Sequence, residues 1–112
     1  MIRAFARIDA DGLLLDFEAV GHAGKGSRGF DIVCAAFTVL VRTAYSALAG
    51  LPGVRIEDRA AEPGSLDFHV KSLPDEIRER AIGMSAFLLE GLRALEGEYP
   101  EAVEIRTELR RK

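Results

Sequence analysis

Two side chains that can catalyse acyl transfer, a cysteine and a histidine, lie twelve positions apart in the first third of the chain. Cys34 is the only cysteine among 112 residues, and His22 is one of two histidines. The thiolate is the reactive form of cysteine, and a neighbouring imidazole both favours the thiolate and transfers protons. The pair therefore predicts nucleophilic catalysis, with Cys34 as the nucleophile and His22 as the acid and base.

The segment that joins the two residues is rich in glycine. Residues 21–30 include Ala23 and four glycines, which are Gly21, Gly24, Gly26 and Gly29. Glycine adopts unusual backbone angles at little steric cost and offers no side chain for packing. We expect this segment to be a mobile loop.

A helix start next to the cysteine would add to the activation of its thiol. Asp31 precedes a long apolar run and is a residue type that caps helices, which predicts a helix over 32–49 with Asp31 as its N-cap. Cys34 would then lie in the first turn, where unpaired N–H groups and the helix dipole favour an anion. Asp31 could instead orient His22, but the cap is the role that the spacing by itself requires.

Four polar residues share one face of this predicted helix. They recur at spacings of three and four along the chain, and they are Asp31, Cys34, Thr38 and Arg42. The rest of the helix is apolar nearly all round, which indicates burial on more than one side. The sequence therefore places a site on this polar stripe, with Asp31 and Thr38 as supporting residues.

Other chemistries fit these residues less well. Zinc binding by His22, Asp31 and Cys34 lacks the four ligands in short paired spacings that structural sites use, so no metal is predicted. The run G-K-G-S at residues 24–27 differs from a phosphate-binding P-loop, because a glycine separates the lysine from the hydroxyl. Cysteine is often buried, so the competing interpretation is a packed Cys34 in a non-catalytic adaptor protein.

Composition predicts a single soluble domain that spans residues 1–112. The chain is 48% apolar and 29% charged, and its net charge of −3 disfavours a nucleic-acid-binding module. A lone cysteine cannot form an internal disulfide, and the first residues lack the apolar core of a signal peptide. Arg42 interrupts the best apolar window, which disfavours a membrane span. We expect a cytoplasmic protein with no membrane partner and no direct nucleic-acid partner.

The periodicity of apolar residues predicts the element order β-β-α-β-β-α-β. Alternation predicts strands near 2–8, 13–19, 54–58, 66–70 and 103–107, and helical spacing predicts helices over 32–49 and 73–95. The run from Ser72 to Asp75 resembles a capping box for the second helix, and alternation turns His69 towards solvent. The expected fold is α+β, a two-layer sandwich in which a mostly antiparallel sheet of about five strands packs against two helices.

Two short motifs together resemble the signature of the ribosomal-processing cysteine protease family of small bacterial proteins. They are G-H-A-G at residues 21–24 and G-F-D-I-V-C-A-A at residues 29–36. The resemblance implies an endopeptidase that removes a short N-terminal extension from a large-subunit ribosomal protein, cutting after an aromatic residue and using no cofactor. It also implies that His22 and Cys34 are the catalytic pair, and that the glycine loop becomes ordered over bound peptide.

The resemblance further implies a homodimer. Four residues at helical spacing give the first predicted helix a continuous apolar side: Phe37, Val41, Tyr45 and Leu48. By pattern alone this side fits either a monomeric core or a symmetric contact between two copies. With the resemblance added, we expect it to form the dimer interface. The family often has serine one turn after the cysteine, where this chain has Thr38.

Overall fold

The computed structural model describes residues 1–21, 28–58 and 66–110, with the backbone alone for 28–31. The strands are β1 (Ile2–Ile8), β2 (Leu14–Val20), β3 (Arg55–Asp58), β4 (Leu66–Ser72) and β5 (Val103–Leu109). The helices are α1 (Arg28–Ala49) and α2 (Arg78–Glu98), and a short 3-10 turn over Asp75–Ile77 leads into α2. The predicted order β-β-α-β-β-α-β is confirmed.

The five strands form one mixed sheet in the order β3-β4-β2-β1-β5. Neighbouring strands run antiparallel except β1 and β5, which pair in parallel from Ile2 opposite Val103 to Ile8 opposite Leu109. Because β5 follows β4 through α2, the chain crosses over the sheet before it pairs with β1. The prediction of a mostly antiparallel sheet of five strands is therefore confirmed.

The core lies between the sheet and the two helices. In β1 the buried residues Ile2, Ala4 and Ala6 alternate with Arg3 and with other residues that are not buried, so one face of the sheet is covered and the other is open. An aromatic group joins α1 to the covered face. In it, Phe17 lies 5.5 Å from Phe68 and 6.4 Å from Phe37 between ring centroids, and Tyr45 lies 5.6 Å from Phe68. The two-layer α+β sandwich is confirmed.

Helix α1 begins earlier than the sequence predicted. It starts at Arg28, so Asp31 is its fourth residue and the assignment of Asp31 as N-cap is wrong. The predicted loop over 21–30 is also too long, because residues 28–30 are helical. A capping preference is worth only about 1 kcal/mol, which is too little to set a helix start when packing of the apolar face stabilises a longer helix.

The start of α2 also differs from the prediction. Ser72 is the last residue of β4, and the 3-10 turn follows Pro74 with no side-chain cap, so the predicted capping box is wrong. The helix continues through Gly97 to Glu98 before the chain reaches Pro100. The local pattern identified the apolar face of α2 correctly, since Ala81, Leu88 and Leu92 are all buried.

The apolar side of α1 that we expected at a dimer interface belongs to the core instead. Phe37, Val41 and Leu48 are buried, and Tyr45 is partly buried against Phe68. The opposite side of α1 is exposed, and 22% of the stretch Ile32–Ala49 is buried within this protein. By length and composition alone, this stretch could cross a membrane. Helix α1 is thus apolar on two sides, of which the sheet covers one.

Candidate active site

Cys34 lies in the second turn of α1, as the seventh residue of the helix. Its side chain is partly buried and packs against the core. The prediction that Cys34 lies in the first turn of the helix is therefore wrong. In an α-helix the N–H of residue 34 bonds to the carbonyl of residue 30, and a helix that begins at Arg28 has no acceptor inside it for the N–H groups of residues 28–30.

The backbone around Cys34 is held firmly on the sheet. Val33 is fully buried beside it, and Phe37 is buried one turn later and contacts Phe17 of β2. A close-packed interior leaves such side chains little freedom. The sequence therefore anchors the nucleophile candidate through its buried neighbours, while Cys34 itself is only partly buried.

Gly21 fixes the chain directly before His22. Its φ is +99°, in the region that residues with a Cβ rarely adopt, and a Cβ at this position would collide with the backbone carbonyl of Met1. No other residue type fits both constraints. The first glycine of the G-H-A-G motif is thus required by the structure, because the start of β1 passes close to the end of β2. The sequence did not reveal this requirement.

The remaining predicted site residues are placed to different degrees. Thr38 is partly buried, and it lies one turn after Cys34 on the same face of α1, as predicted. Asp31 and Gly29 belong to α1, but only their backbone is described. Four predicted residues lie outside the described part of the chain: His22, Ala23, Gly24 and Gly26. The role of His22 therefore stays a prediction, as does the expected mobility of the loop.

The second histidine is engaged on the open face of the sheet. His69 lies opposite Asp16 in the pairing of β4 with β2, and its Nδ1 is 2.6 Å from Asp16 Oδ1. Arg7 Nε donates to the other carboxylate oxygen at 2.6 Å. Burial raises the pKa of Asp16, but the hydrogen bonds from His69 and Arg7 outweigh it and hold that pKa below its usual value.

His69 lies on the open face of the sheet, as alternation predicted, but its contact with Asp16 leaves the side chain only 17% exposed. The sequence holds no signal for the contact, since the partners lie 53 positions apart and only strand register brings them together.

The position of His69 also bears on which histidine could take part in catalysis. His69 lies on the face of the sheet opposite α1, so the sheet separates its imidazole from Cys34. The chain has two histidines, and His22 therefore stays the candidate to pair with Cys34.

No group of three or more histidine, cysteine, aspartate or glutamate side chains within the described residues could hold a metal ion.

A sequence model of the family described as "Cysteine protease Prp" matches residues 1–104. This chain belongs to the Prp cysteine protease family. The match covers both helices and nearly the whole sheet, so Prp membership concerns the entire fold and not the motifs near Cys34 alone.

Relatives support Prp membership over nearly full length. The chain is 31% identical over 111 residues to "Ribosomal processing cysteine protease Prp" of Bacillus subtilis (strain 168), covering 97% of this chain and 99% of that protein. It is 28% identical over 105 residues to the protein of the same description in Staphylococcus aureus (strain NCTC 8325 / PS 47), covering 94% and 97%.

Solved structures show the same fold. SMU.848 from Streptococcus mutans has a TM-score of 0.78 at 28% identity, over 98% of this chain and 96% of that one. The essential ribosomal processing protease Prp from S. aureus, in complex with a covalently linked product peptide, has a TM-score of 0.79 at 25% identity, over 96% and 100%. A Prp fold is thus shared across the whole chain.

Proposed function

We propose that this chain is a cysteine endopeptidase that removes a short N-terminal extension from a large-subunit ribosomal protein in the cytoplasm. The observation that carries the proposal is the match to the Prp family over residues 1–104. Its relatives are described as ribosomal processing proteases, and that of S. aureus has been crystallised with a covalently linked product peptide. A partly accessible Cys34 on a rigid helix is consistent with a covalent intermediate at sulfur.

In the proposed mechanism His22 takes the proton of Cys34, and the thiolate attacks the carbonyl carbon of the scissile peptide bond. The carbonyl electrons move to oxygen, and when they return the C–N bond breaks and His22 gives its proton to the leaving amine. Water, deprotonated by His22, then attacks the thioester and releases the new carboxyl end together with the thiol. Sulfur and imidazole supply every step, so the reaction requires neither cofactor nor metal.

The first turn of α1 is where we place the oxyanion donors of this mechanism. Side chains in a helix lean towards its N-terminus, so the sulfur of Cys34 lies over the preceding turn. The N–H groups of residues 28–30, which have no acceptor within α1, belong to that part of the helix, whereas the N–H of Cys34 is used within α1. We therefore assign the oxyanion donors to the N–H groups of residues 28–30.

The direct test is cleavage of the precursor of the host's own ribosomal protein, with the products read by mass. Cys34→Ala is expected to abolish cleavage, because alanine has no nucleophile. His22→Ala is expected to lower the rate by about 10²–10⁴-fold, the usual contribution of a general acid and base. Both proteins should keep the circular dichroism spectrum of the wild type.

His69→Gln is the matched control, because it changes the chain's other histidine on the opposite face of the sheet. It is expected to cleave the precursor at the wild-type rate, even if the loss of the Asp16 contact lowers stability. Normal cleavage by Cys34→Ala would overturn the proposed protease. An inactive but folded His69→Gln protein, with His22→Ala active, would overturn the assignment of His22.

A second candidate, a non-catalytic adaptor that binds a ribosomal protein, is favoured by one observation: Cys34 packs against the core. Thiol reactivity separates the two functions. A catalytic thiol should react with iodoacetamide at neutral pH much faster than a small free thiol, and His22→Ala should slow that reaction. A slow reaction that is unchanged in His22→Ala would favour the adaptor.

The proposed enzyme is also a symmetric homodimer, as the family resemblance implies. The side of α1 first predicted to mediate the contact is core, so another surface has to do so. Sedimentation at micromolar concentration measures the assembly, and a single species at the 12.2 kDa chain mass would contradict it.

A further inference from the structure

The open face of the sheet carries a groove at the end where β1 begins and β2 ends. The groove encloses about 460 Å³ over β2, β1 and β5, and we call it the open-face groove. Its side chains are both apolar and charged, and they are chiefly Arg3, Phe5, Glu18, Val20, Glu104 and Arg106. The strand β2 continues from this groove into Gly21 and His22, so the groove borders the strand end that leads to the candidate catalytic histidine.

Strand register places two carboxylates side by side at this groove. Glu18 of β2 lies directly opposite Asp67 of β4. Both are on the open face, because the adjacent Phe17 and Phe68 are buried. Residues directly opposite on one face have Cβ atoms about 4.5–5.5 Å apart, and like charges in this position destabilise a sheet. A cation bound between Glu18 and Asp67 would remove that repulsion.

The two carboxylates lack the partners that the neighbouring carboxylate on this face has. Asp16, one row further along β2, is bonded to both His69 and Arg7. Asp67 Oδ1, by contrast, is buried and has no hydrogen-bond partner among the described residues. Glu18 forms no ion pair with another described residue. Since buried polar atoms are nearly always hydrogen-bonded, the unpaired Asp67 oxygen indicates a missing donor.

The cations of the groove already have a carboxylate beside them. Arg106 Nε lies 3.3 Å from Glu104 Oε1. The register of β1 with β5 places Arg3 opposite the same Glu104. The charge that is left without an opposite neighbour in this groove is therefore the negative charge of Glu18 and Asp67, which favours a cationic occupant.

An aromatic ring defines which cation fits best. Phe5 of β1 lies directly opposite Glu18, on the side away from Asp67, so two carboxylates and a ring form one row across three strands. A guanidinium group stacks on an aromatic face and donates two parallel hydrogen bonds to a carboxylate, whereas an ammonium group is a point charge. The row therefore matches an arginine side chain.

We infer that the open-face groove docks an arginine of the ribosomal-protein substrate, with Glu18 and Asp67 binding its guanidinium group against the Phe5 ring. This inference rests on the proposed function and adds a contact outside the active site. A ribosomal protein needs basic side chains to bind RNA phosphates, and the net charge of −3 attracts such a protein. The docked arginine belongs to the mature part of the substrate, because that is the part that binds RNA.

The test is calorimetric binding of the mature host ribosomal protein, which lacks the extension, to the full chain. The double variant Glu18→Gln/Asp67→Asn should weaken binding at least about tenfold, the loss of one hydrogen bond between charged groups. The KM for precursor cleavage should rise in the same proportion. Glu108→Gln removes an exposed carboxylate from the same face of β5, so it is the control and should leave binding unchanged.

Urea unfolding separates docking from a structural role. Because the double variant removes a repulsion between like charges, its unfolding midpoint should lie above that of the wild type. A double variant that binds as tightly as the wild type would overturn the inference. A double variant with a lower unfolding midpoint would also overturn it, because the carboxylates would then stabilise the fold.

Other outcomes identify a different occupant or a different error. Loss of binding in Arg3→Gln, with the double variant unaffected, would assign the groove to an anionic group and overturn the inference. A mature ribosomal protein that does not bind the wild type would do the same. Binding that depends on Glu18 and Asp67 without any precursor cleavage would contradict the proposed protease and support the docking site. Cleavage with an unchanged KM in the double variant would do the reverse.

Discussion

At the scale of single residues, the candidate site depends on two different kinds of constraint. Cys34 is held indirectly, because the buried neighbours Val33 and Phe37 fix its stretch of helix on the sheet. Gly21 is held directly, because its positive φ and the Met1 carbonyl leave no room for a side chain. The nucleophile candidate thus lies on a rigid element, and the histidine candidate follows a turn that only glycine can make.

Replacing Gly21 by alanine should therefore impair both stability and cleavage. Gly12→Ala is the matched control, because Gly12 also has a positive φ, +91°, but a Cβ there would meet nothing within 4 Å. We expect Gly12→Ala to cost about 1–3 kcal/mol of unfolding free energy from backbone strain alone, and to leave cleavage intact. Gly21→Ala should cost more and should lower cleavage, because the collision displaces the chain before His22.

Urea unfolding and the precursor assay measure the two effects. Equal stability losses in the two variants, with full activity in Gly21→Ala, would show that the contact with Met1 does not position His22.

At the scale of elements, a buried serine joins α2 to the first hairpin. Ser85 is fully buried, its hydroxyl accepts a hydrogen bond from the N–H of Leu14 at 2.9 Å, and it donates to the carbonyl of Ala81 at 2.8 Å. The N–H of Leu14 lies at the start of β2, so the helix supplies a partner for a buried donor of the strand. Sequence reasoning missed Ser85, since a serine within an apolar helix face gives no local signal of its partner.

Ser85→Ala should leave the buried N–H of Leu14 without a partner. An unsatisfied buried donor costs about 1–3 kcal/mol, so the free energy of unfolding should fall by that amount in urea titrations. Ser46→Ala on the exposed side of α1 is the control and should stay within about 0.5 kcal/mol of the wild type. If Ser85→Ala matches Ser46→Ala, the hydrogen bond to Leu14 contributes nothing to stability.

At the scale of the whole molecule, an ion pair links the first turn of the sheet to the second helix. Asp9 is buried in the turn between β1 and β2, where its Oδ1 accepts from the N–H groups of Asp11 and Leu13. Its Oδ2 accepts from Arg78 of α2 at 2.5 Å. Burial raises the pKa of Asp9, but the hydrogen bonds from Arg78, Leu13 and Asp11 outweigh it, so the pKa lies below its usual value.

This shift predicts how stability depends on acid. Because the pKa of Asp9 is lower in the folded than in the unfolded protein, the charged carboxylate stabilises the fold fully above an unfolded-state pKa of about 3.9. That stabilisation is lost as the pH falls through the lower folded-state pKa. Asp9→Asn should therefore be less stable than the wild type at neutral pH, and the difference should shrink below pH of about 4.

Urea unfolding across this pH range measures the difference. Arg78→Gln should show the same pattern as Asp9→Asn, because it removes the other partner of the ion pair. A constant gap between wild type and Asp9→Asn at every pH would contradict a contribution from the carboxylate charge.

The sequence by itself determined the order of the elements, which residues of a strand or helix share a face, and the motifs that point to the family. These features are local, because a spacing of two or of three to four residues fixes which side chains share a face. Alternation placed Ile2, Ala4 and Ala6 on one face of β1, which the structure shows to be the covered face, and the spacing of Cys34 and Thr38 placed both on one side of α1. Local periodicity is enough to predict which residues share a face, because no contact with a distant residue is involved.

Only the tertiary structure decided the helix start, the pairing of His69 and the use of the two apolar sides of α1. The first turn of α1 forms against a local preference of about 1 kcal/mol for a cap at Asp31. His69 meets Asp16 only through the register of β4 with β2. The side of α1 that carries Phe37 became core because the sheet covered it, which left Val39 and its neighbours exposed. Each outcome depends on contacts between distant segments, and such contacts leave no periodic trace in the chain.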